Sequence, residues 1–327
     1  MAKWKKNFHN SIRNRTLFGD AILWLLTKRR IIRKYTADLV VIDRAYHRLE
    51  KKYKKSALAL RNEILQHTQE HQANRTVWLF WWQGMDTAPT LVKACNQTVR
   101  KHFADWNIVV IDKNNFGQYV HLPDYILEKH QKGIITHTHF SDILRLALLI
   151  EHGGLWLDAT VFCTGGIEPY MEQCDLFLYR NGWMDQETLN FASWLIYARS
   201  NSPLLILTQK LLYAYWKRNN RLIHYFLLHM FIRMAGEALP DISAQIPYYH
   251  HIDNHLLNKE MNNDFSALRF QDIKKLTNFH KLSTKGRYLS GAQNSFYYRL
   301  LESVLEEQKT ITQQSSPVSK PNGAAKS

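Results

Sequence analysis

Cysteine is scarce: Cys95, Cys163 and Cys174 are the only three in 327 residues. An odd number with no metal-type spacing leaves neither a disulfide framework nor a thiolate metal site, and it fits a reducing, cytoplasmic compartment. Long apolar runs are missing too. None approaches the roughly 20 residues of a membrane span. The longest near the start, Ala21 to Leu26, is followed by Lys28-Arg29-Arg30 where a cleavable leader would carry small residues. There is no glycine-rich phosphate loop, which leaves a phosphosugar transferase without support, and no internal repeat. Acidic residues are also few, 28 against 43 Lys and Arg, for a net charge of +15.

That excess is unevenly placed. Residues 1–75 hold 18 basic and 6 acidic side chains, about +12 of the total, which leaves the remainder close to neutral. A charge confined to one end argues against a nucleic-acid-binding protein and for a basic arm that meets something anionic. Residues 1–74 read as a basic helical extension with Trp4, Phe8, Ile12, Leu17, Ile22, Leu25 and Leu26 interleaved among cations. Such a segment can lie on the inner face of the cell membrane or cover the core of its own chain. Tyr46 to Gln66, with KKYKK at its centre, reads as a solvated helix or hairpin arm. Residues 311–327 are rich in Ser, Gln, Pro and Lys and are expected to be disordered.

From Arg75 the character changes, and residues 75–310 read as one α/β domain. TVWLFWWQG is a β-branched and aromatic run ended by Gly84, hence a buried first strand with a loop at its carboxyl end. A helix over Pro89 to Phe103, a strand over Asn107 to Asp112 and a further helix ending at Lys132 follow. A strand is expected over Asp175 to Tyr179, and two helices between Ser202 and Met234. In an alternating sheet of this kind ligands collect at the carboxyl ends of the strands.

The central stretch is Thr136 to Phe162. Apolar residues at helical spacing (Ile143, Leu146, Ala147, Leu149, Ile150) predict a helix capped by Ser141 and ended by Gly153-Gly154. In LWLDATV, alternation puts Trp156, Asp158 and Thr160 on one face of the next strand. A carboxylate near the end of a buried strand has to be paired, hydrogen-bonded or metal-bound, so Asp158 is the chief candidate for chemistry. Asp142 and Arg145, one turn apart on the helix, can share a surface, and a purely structural ion pair is the competing explanation.

SDILRLALLIEHGGLWLDATV resembles the SDxxRxxxLxxxGGxYxDxD block of glycosyltransferases of GT-A fold, and is most similar to the capsular polysaccharide synthesis proteins. The resemblance implies a GT-A-like (Rossmann-like) mixed, mainly parallel sheet flanked by helices. It implies transfer of a sugar from a nucleotide-sugar donor to a glycan or lipid-linked acceptor in capsular or exopolysaccharide synthesis. By position, Asp142 and Arg145 would hold the donor nucleotide, as would Trp82, Gln83 and Gly84 in the loop after the first strand. Asp158 would be the catalytic first carboxylate of the DxD motif, binding a divalent cation (Mn²⁺ or Mg²⁺). Thr160 departs from the motif, because a hydroxyl is a weaker metal ligand than the second carboxylate.

Asn190 to Ala198 is similar to the acceptor-side strand and helix of the family. Asn278-Phe279-His280-Lys281-Leu282 resembles its C-terminal motif, so that His280 would complete the metal shell and Lys281 or Lys285 would neutralise the leaving diphosphate. His224 stands where an acid is expected, and with His229 it reads as a packed histidine rather than a ligand. Thr160 and His224 keep a second possibility open, an inactive scaffold of the same fold at the membrane.

Overall fold

The computed structural model describes residues 17–66, 71–182, 189–285 and 293–301. Trp4, Phe8, Ile12 and the tail 311–327 lie outside the described residues. Helices α1 (Leu17–Lys28) and α2 (Lys34–Gln66) come first. They are followed by β1 (Thr76–Phe80), α3 (Thr90–His102), β2 (Asn107–Ile111), α4 (Asp124–Gln131), α5 (His137–His152) and β3 (Gly154–Leu157). Next come β4 (Val161–Cys163), α6 (Pro169–Glu172), β5 (Leu176–Arg180), β6 (Phe191–Ala198), α7 (Pro203–Arg218) and α8 (Leu227–Ala238). The short α9 (Pro240–Ala244) and α10 (Leu256–Glu260), then α11 (Ala267–Leu276) and β7 (Phe279–Lys281), complete the order.

Five strands form one sheet in the order β2-β1-β3-β6-β5. β1 is parallel to β2 and β3, whereas β6 is antiparallel to both β3 and β5, so β6 alone runs against the other four. This is the mixed, mainly parallel sheet expected from the alternating pattern. All five residues of β1 are buried because helices cover both faces. Trp78, Phe80 and Trp156 point into the larger cluster, shared with α2, α5, α7 and α8. Val77, Leu79, Leu155 and Leu157 point the other way, onto Val99, Phe103 and Phe177. Each such fully buried side chain contributes about 1.5–3 kcal/mol over its exposed state.

Helix α2 corrects one expectation. Its stripe of Ala45, Tyr46, Leu49, Tyr53 and Ala57 is buried in the same cluster as α7 and α8, so this stretch is part of the core and not a solvated arm. The Tyr46 hydroxyl donates to Glu237 of α8 at 2.5 Å, and the Tyr53 ring meets Phe231 edge-on at 5.5 Å. Lys51, Lys52, Lys54 and Lys55 occupy the exposed faces, which is why the sequence looks solvated there.

The central block differs from its reading at both ends. Helix α5 starts at His137 with Thr136 at the N-cap, one turn before Ser141; Phe140, fully buried and stacked on His130 at 4.0 Å, ties that extra turn to the core. The helix ends at Gly153 as expected, and Gly153 and Gly154 have φ of 68° and 102°. A Cβ on Gly154 would come within 2.4 Å of the Thr76 carbonyl oxygen, so glycine here lets β3 lie against β1. β3 then stops at Leu157 instead of running through Val161. The Val161 amide donates to the Asp158 carbonyl at 2.9 Å, closing a turn over Asp158–Thr160, and β4 pairs with β7 in a separate two-stranded sheet. The strand and helix expected over Asn190 to Ala198 are a single strand, β6, buried at every position.

Candidate functional site

Because β1 and β3 are parallel, the segments that leave their carboxyl ends emerge on one edge of the sheet, and a cavity of about 490 Å³ opens there. Phe80 to Gln83 line it from the end of β1; Ser141, Asp142 and Arg145 from α5; and Asp158, Ala159 and Thr160 from the turn after β3. Ser193 and Trp194 of β6, Tyr225, Phe226 and His229 around the start of α8, and Lys281 and Thr284 close the remaining sides. Its volume lies in the range of small-ligand and cofactor sites.

Arg145 is the hub. It is only 4% exposed, and its guanidinium donates to Asp142 Oδ1 at 2.7 Å and Ser193 Oγ at 3.1 Å through Nη1, and to Asp158 Oδ1 at 2.9 Å through Nη2. It also lies over the Trp156 ring, 4.8 Å from the centroid. His139 Nδ1 stands 3.3 Å from Asp142 Oδ2. Asp158 takes a further hydrogen bond from Trp156 Nε1 at 3.1 Å and an ion pair from Lys281 Nζ at 2.9 Å. Lys281 Nζ also donates to Thr160 Oγ1 at 2.6 Å. Burial alone would raise the Asp158 carboxyl, but the charges of Lys281 and Arg145 outweigh it and hold the group below the ordinary carboxylate range. The Asp142–Arg145 pair weighed as a structural alternative does form, and the same arginine also reaches Asp158 inside the cavity.

Residues far apart in sequence thus meet: Asp142, Arg145, Asp158, Thr160 and Lys281 form one charged wall, while Trp82 and Gln83 line the cavity from the β1 side. Trp82 stacks on His137 with centroids 5.3 Å apart. Two candidates fall elsewhere. Gly84 is not among the lining residues; its φ of 86° turns the chain away beside Asp112. His280 is fully buried on the face of β7 opposite Lys281, with Nε2 2.9 Å from Thr164 Oγ1, so strand alternation removes it from any shell around Asp158. Lys285 sits with its ammonium 5.5 Å from the Tyr225 ring centroid.

Other lining residues had no reading as site residues. Trp81 joins Trp82 in the wall because β1 ends at Phe80 and strict alternation ends with it. Tyr225 lies in no motif, whereas Ser193 and Trp194 fall within the Asn190–Ala198 segment likened to the acceptor side, which singled out neither of them. His229, read as a packed histidine, has its Nε2 3.3 Å from the Ser193 hydroxyl while lining the cavity, and burial pushes its imidazole down to about 4, so it is neutral at physiological pH.

The donor set does not fit a divalent cation as arranged. An ion within about 2.0–2.6 Å of Asp158 Oδ2 and Thr160 Oγ1 would have to displace the Lys281 ammonium, which already lies on both oxygens. Among the described residues no group of three His, Cys, Asp or Glu side chains is placed to hold a metal.

Several known proteins are similar to this chain. The O-glycosyltransferase PaGT of Phomopsis amygdali is 26% identical over 114 residues, which are 32% of this chain and 28% of that protein. The glycosyltransferase afumC of Aspergillus fumigatus is 33% identical over 97 residues, 26% of this chain and 24% of its own length. The O-glycosyltransferase braB of Annulohypoxylon truncatum is 29% identical over 105 residues, 29% of this chain and 25% of its length. The match therefore spans about a quarter of each of these relatives. Among solved structures, the PaToxG glycosyltransferase aligns at a TM-score of 0.37 and 17% identity over 60% of this chain and 82% of that one. The family model for capsular polysaccharide synthesis proteins matches residues 29–300, from just before α2 to the end of the described residues, and the chain belongs to that family.

Proposed function

We propose that this protein is a glycosyltransferase that takes a sugar from a nucleotide-sugar donor and passes it to a glycan or lipid-linked acceptor in capsular or exopolysaccharide assembly. The observation that carries the reading is the cluster of Arg145, Asp158 and Lys281 at the carboxyl edge of the sheet, inside a cavity with an aromatic wall. Breaking the bond between the anomeric carbon and the diphosphate leaves negative charge on the departing nucleotide, and fixed cations at that point favour the transition state over the ground state. The aromatic side, with Trp81 and Trp82, suits a nucleobase or sugar ring.

Two measurements test this. Thermal-shift screening of nucleotide-sugars, with and without Mn²⁺ or Mg²⁺, should give one donor that raises the melting temperature, because binding stabilises the folded state by mass action. With that donor and an acceptor preparation, nucleoside diphosphate should be released. Binding without release under any acceptor would instead favour the inactive scaffold, for which the Thr160 substitution of the second DxD carboxylate is the motivating feature. A complete screen in which no nucleotide-sugar shifts the melting temperature would remove the donor reading.

Peripheral attachment to anionic membrane is part of the proposal. No helix among the described residues is long and apolar enough to cross a bilayer. On α1, which an Asp20–Arg44 ion pair ties to α2, Phe18 is 81% and Trp24 53% exposed, and Ile31 just beyond is 64% exposed. Lys28, Arg29, Arg30, Arg33 and Lys34 stand beside them. Apolar side chains flanked by cations fit a lipid interface, with each cation near the surface contributing about 1 kcal/mol. Full-length protein is expected to pellet with vesicles containing phosphatidylserine and to be released by salt, and F18S/W24S/I31S to stay largely in the supernatant. Equal pelleting of parent and variant would assign α1 to protein contacts. Removal of residues 1–72 is unsuitable for this test because α2 carries core side chains.

A further inference from the structure

In the donor site proposed above, the second DxD carboxylate is replaced by Thr160, and the oxygens that would face a metal are engaged by a cation of the protein itself. Lys281 Nζ lies 2.9 Å from Asp158 Oδ2 and 2.6 Å from Thr160 Oγ1. Resting on that donor reading, we infer that Lys281 stands in for the divalent cation and binds the donor diphosphate directly through its ammonium, so that nucleoside diphosphate binding needs no metal ion.

The hydrogen-bond inventory supports the exchange. An ammonium carries three N–H groups; Asp158 and Thr160 take two, and the third remains for a phosphate oxygen on the cavity side. Thr160 accepts from Lys281, so its own O–H is free to donate, and a residue that is a poor metal ligand becomes a phosphate donor. A carboxylate at 160 would do the reverse, adding negative charge where the diphosphate arrives. Position is fixed from two directions. β7 pairs antiparallel with β4, with Lys281 opposite Val161, while the amide of Leu282 donates to the Thr160 carbonyl at 2.9 Å. Lysine and the 158–160 turn are thereby held in register by backbone bonds. Lys281 is also the lesser-engaged cation of the wall. Arg145 bonds two carboxylates and a hydroxyl from a 4% exposed position, whereas Lys281 bonds one carboxylate and one hydroxyl and its side chain is 20% exposed.

Isothermal titration of the purified full chain with UDP and with GDP, each in EDTA, in Mg²⁺ and in Mn²⁺, tests the inference. The better of the two nucleotides should bind with the same affinity, within about twofold, in all three buffers. Lys281→Met should lose about 10- to 100-fold in EDTA, the range for one hydrogen bond between charged groups, while the affinity for the matching nucleoside, which lacks the diphosphate, stays unchanged. Lys281→Arg should keep most of the affinity. Thr160→Asp should weaken binding in EDTA and make it respond to Mn²⁺. Binding that vanishes in EDTA and returns with Mn²⁺ in the unmodified protein would overturn the inference and leave the donor reading standing. So would a folded Lys281→Met variant with unchanged affinity. If neither nucleotide binds in any buffer and no other nucleotide shifts the melting temperature, the donor reading fails and takes this inference with it.

Discussion

Asp158→Asn is expected to reduce sugar transfer by about 10²-fold or more, the scale for losing one preorganised electrostatic contact at a reacting centre, while the protein stays folded. The change keeps the side-chain volume and removes one charge. In the parent, Oδ1 accepts from Arg145 and Trp156 and Oδ2 accepts from Lys281, so both oxygens are acceptors only. An asparagine has one acceptor oxygen and a donor NH2 group, and whichever way it is turned the NH2 group faces a cation or an indole N–H. Lys281 or Arg145 is then no longer held in place for the transition state. Arg145 remains bonded to Asp142, so the structural cost should be about 1–3 kcal/mol, that of one mismatched buried polar contact.

A split between binding and turnover identifies what Asp158 does. With one negative charge removed from the wall, UDP or GDP affinity in EDTA should hold or tighten while turnover falls; a carboxylate serving as metal ligand would instead lose nucleotide affinity in Mn²⁺. Full transfer or donor hydrolysis by the folded variant would show that the reaction takes place elsewhere.

The sequence made the core of this arrangement readable where one local rule operated at a time. Hydrophobic runs of β-branched residues marked β1 and β2, and the Gly153-Gly154 pair marked the helix end, because left-handed φ and close backbone approach leave few other residues possible. Helical spacing put Asp142 and Arg145 on one surface, the resemblance to the family's motif block joined Asp158 to them, and their side chains do converge. Period-two alternation misled over LWLDATV, since a strand interrupted by a three-residue turn and resumed in a second sheet keeps much the same hydrophobic pattern. His280 and Lys281 matched one short motif, yet neighbours on a strand face opposite ways, and only the β4–β7 pairing decides which faces the cavity. For α2, four lysines around Tyr53 hid a stripe whose partners, α7 and α8, lie far along the chain. Tyr225 entered the site through tertiary packing, which no local pattern encodes, and the resemblance over Asn190 to Ala198 marked the segment of Ser193 and Trp194 without marking either side chain.

The largest effect on stability is expected from Arg145→Met, at about 3–5 kcal/mol, the range for breaking a buried ion pair from one side. Methionine approximates the length and apolar stem of arginine, so the main loss is charge. Asp142, nearly as buried as its partner, would keep only His139 at 3.3 Å, and Asp158 would keep Lys281 and the Trp156 indole. The hydroxyl of Ser193 would lose the guanidinium, and the Trp156 face its cation. Urea denaturation measures the change, and a second variant separates charge from packing. In Asp142→Asn/Arg145→Met the stranded carboxylate is neutral, so part of the loss should be regained, giving a coupling of about 1–3 kcal/mol between the two positions. Nucleotide affinity supplies the functional reading, because the double variant restores neutrality without restoring the guanidinium: if Arg145 contacts the donor, binding stays weak even as stability recovers. Should Arg145→Met lie within about 1 kcal/mol of the parent and bind UDP and GDP as well as it does, the arginine would be neither the electrostatic centre of the wall nor a donor contact.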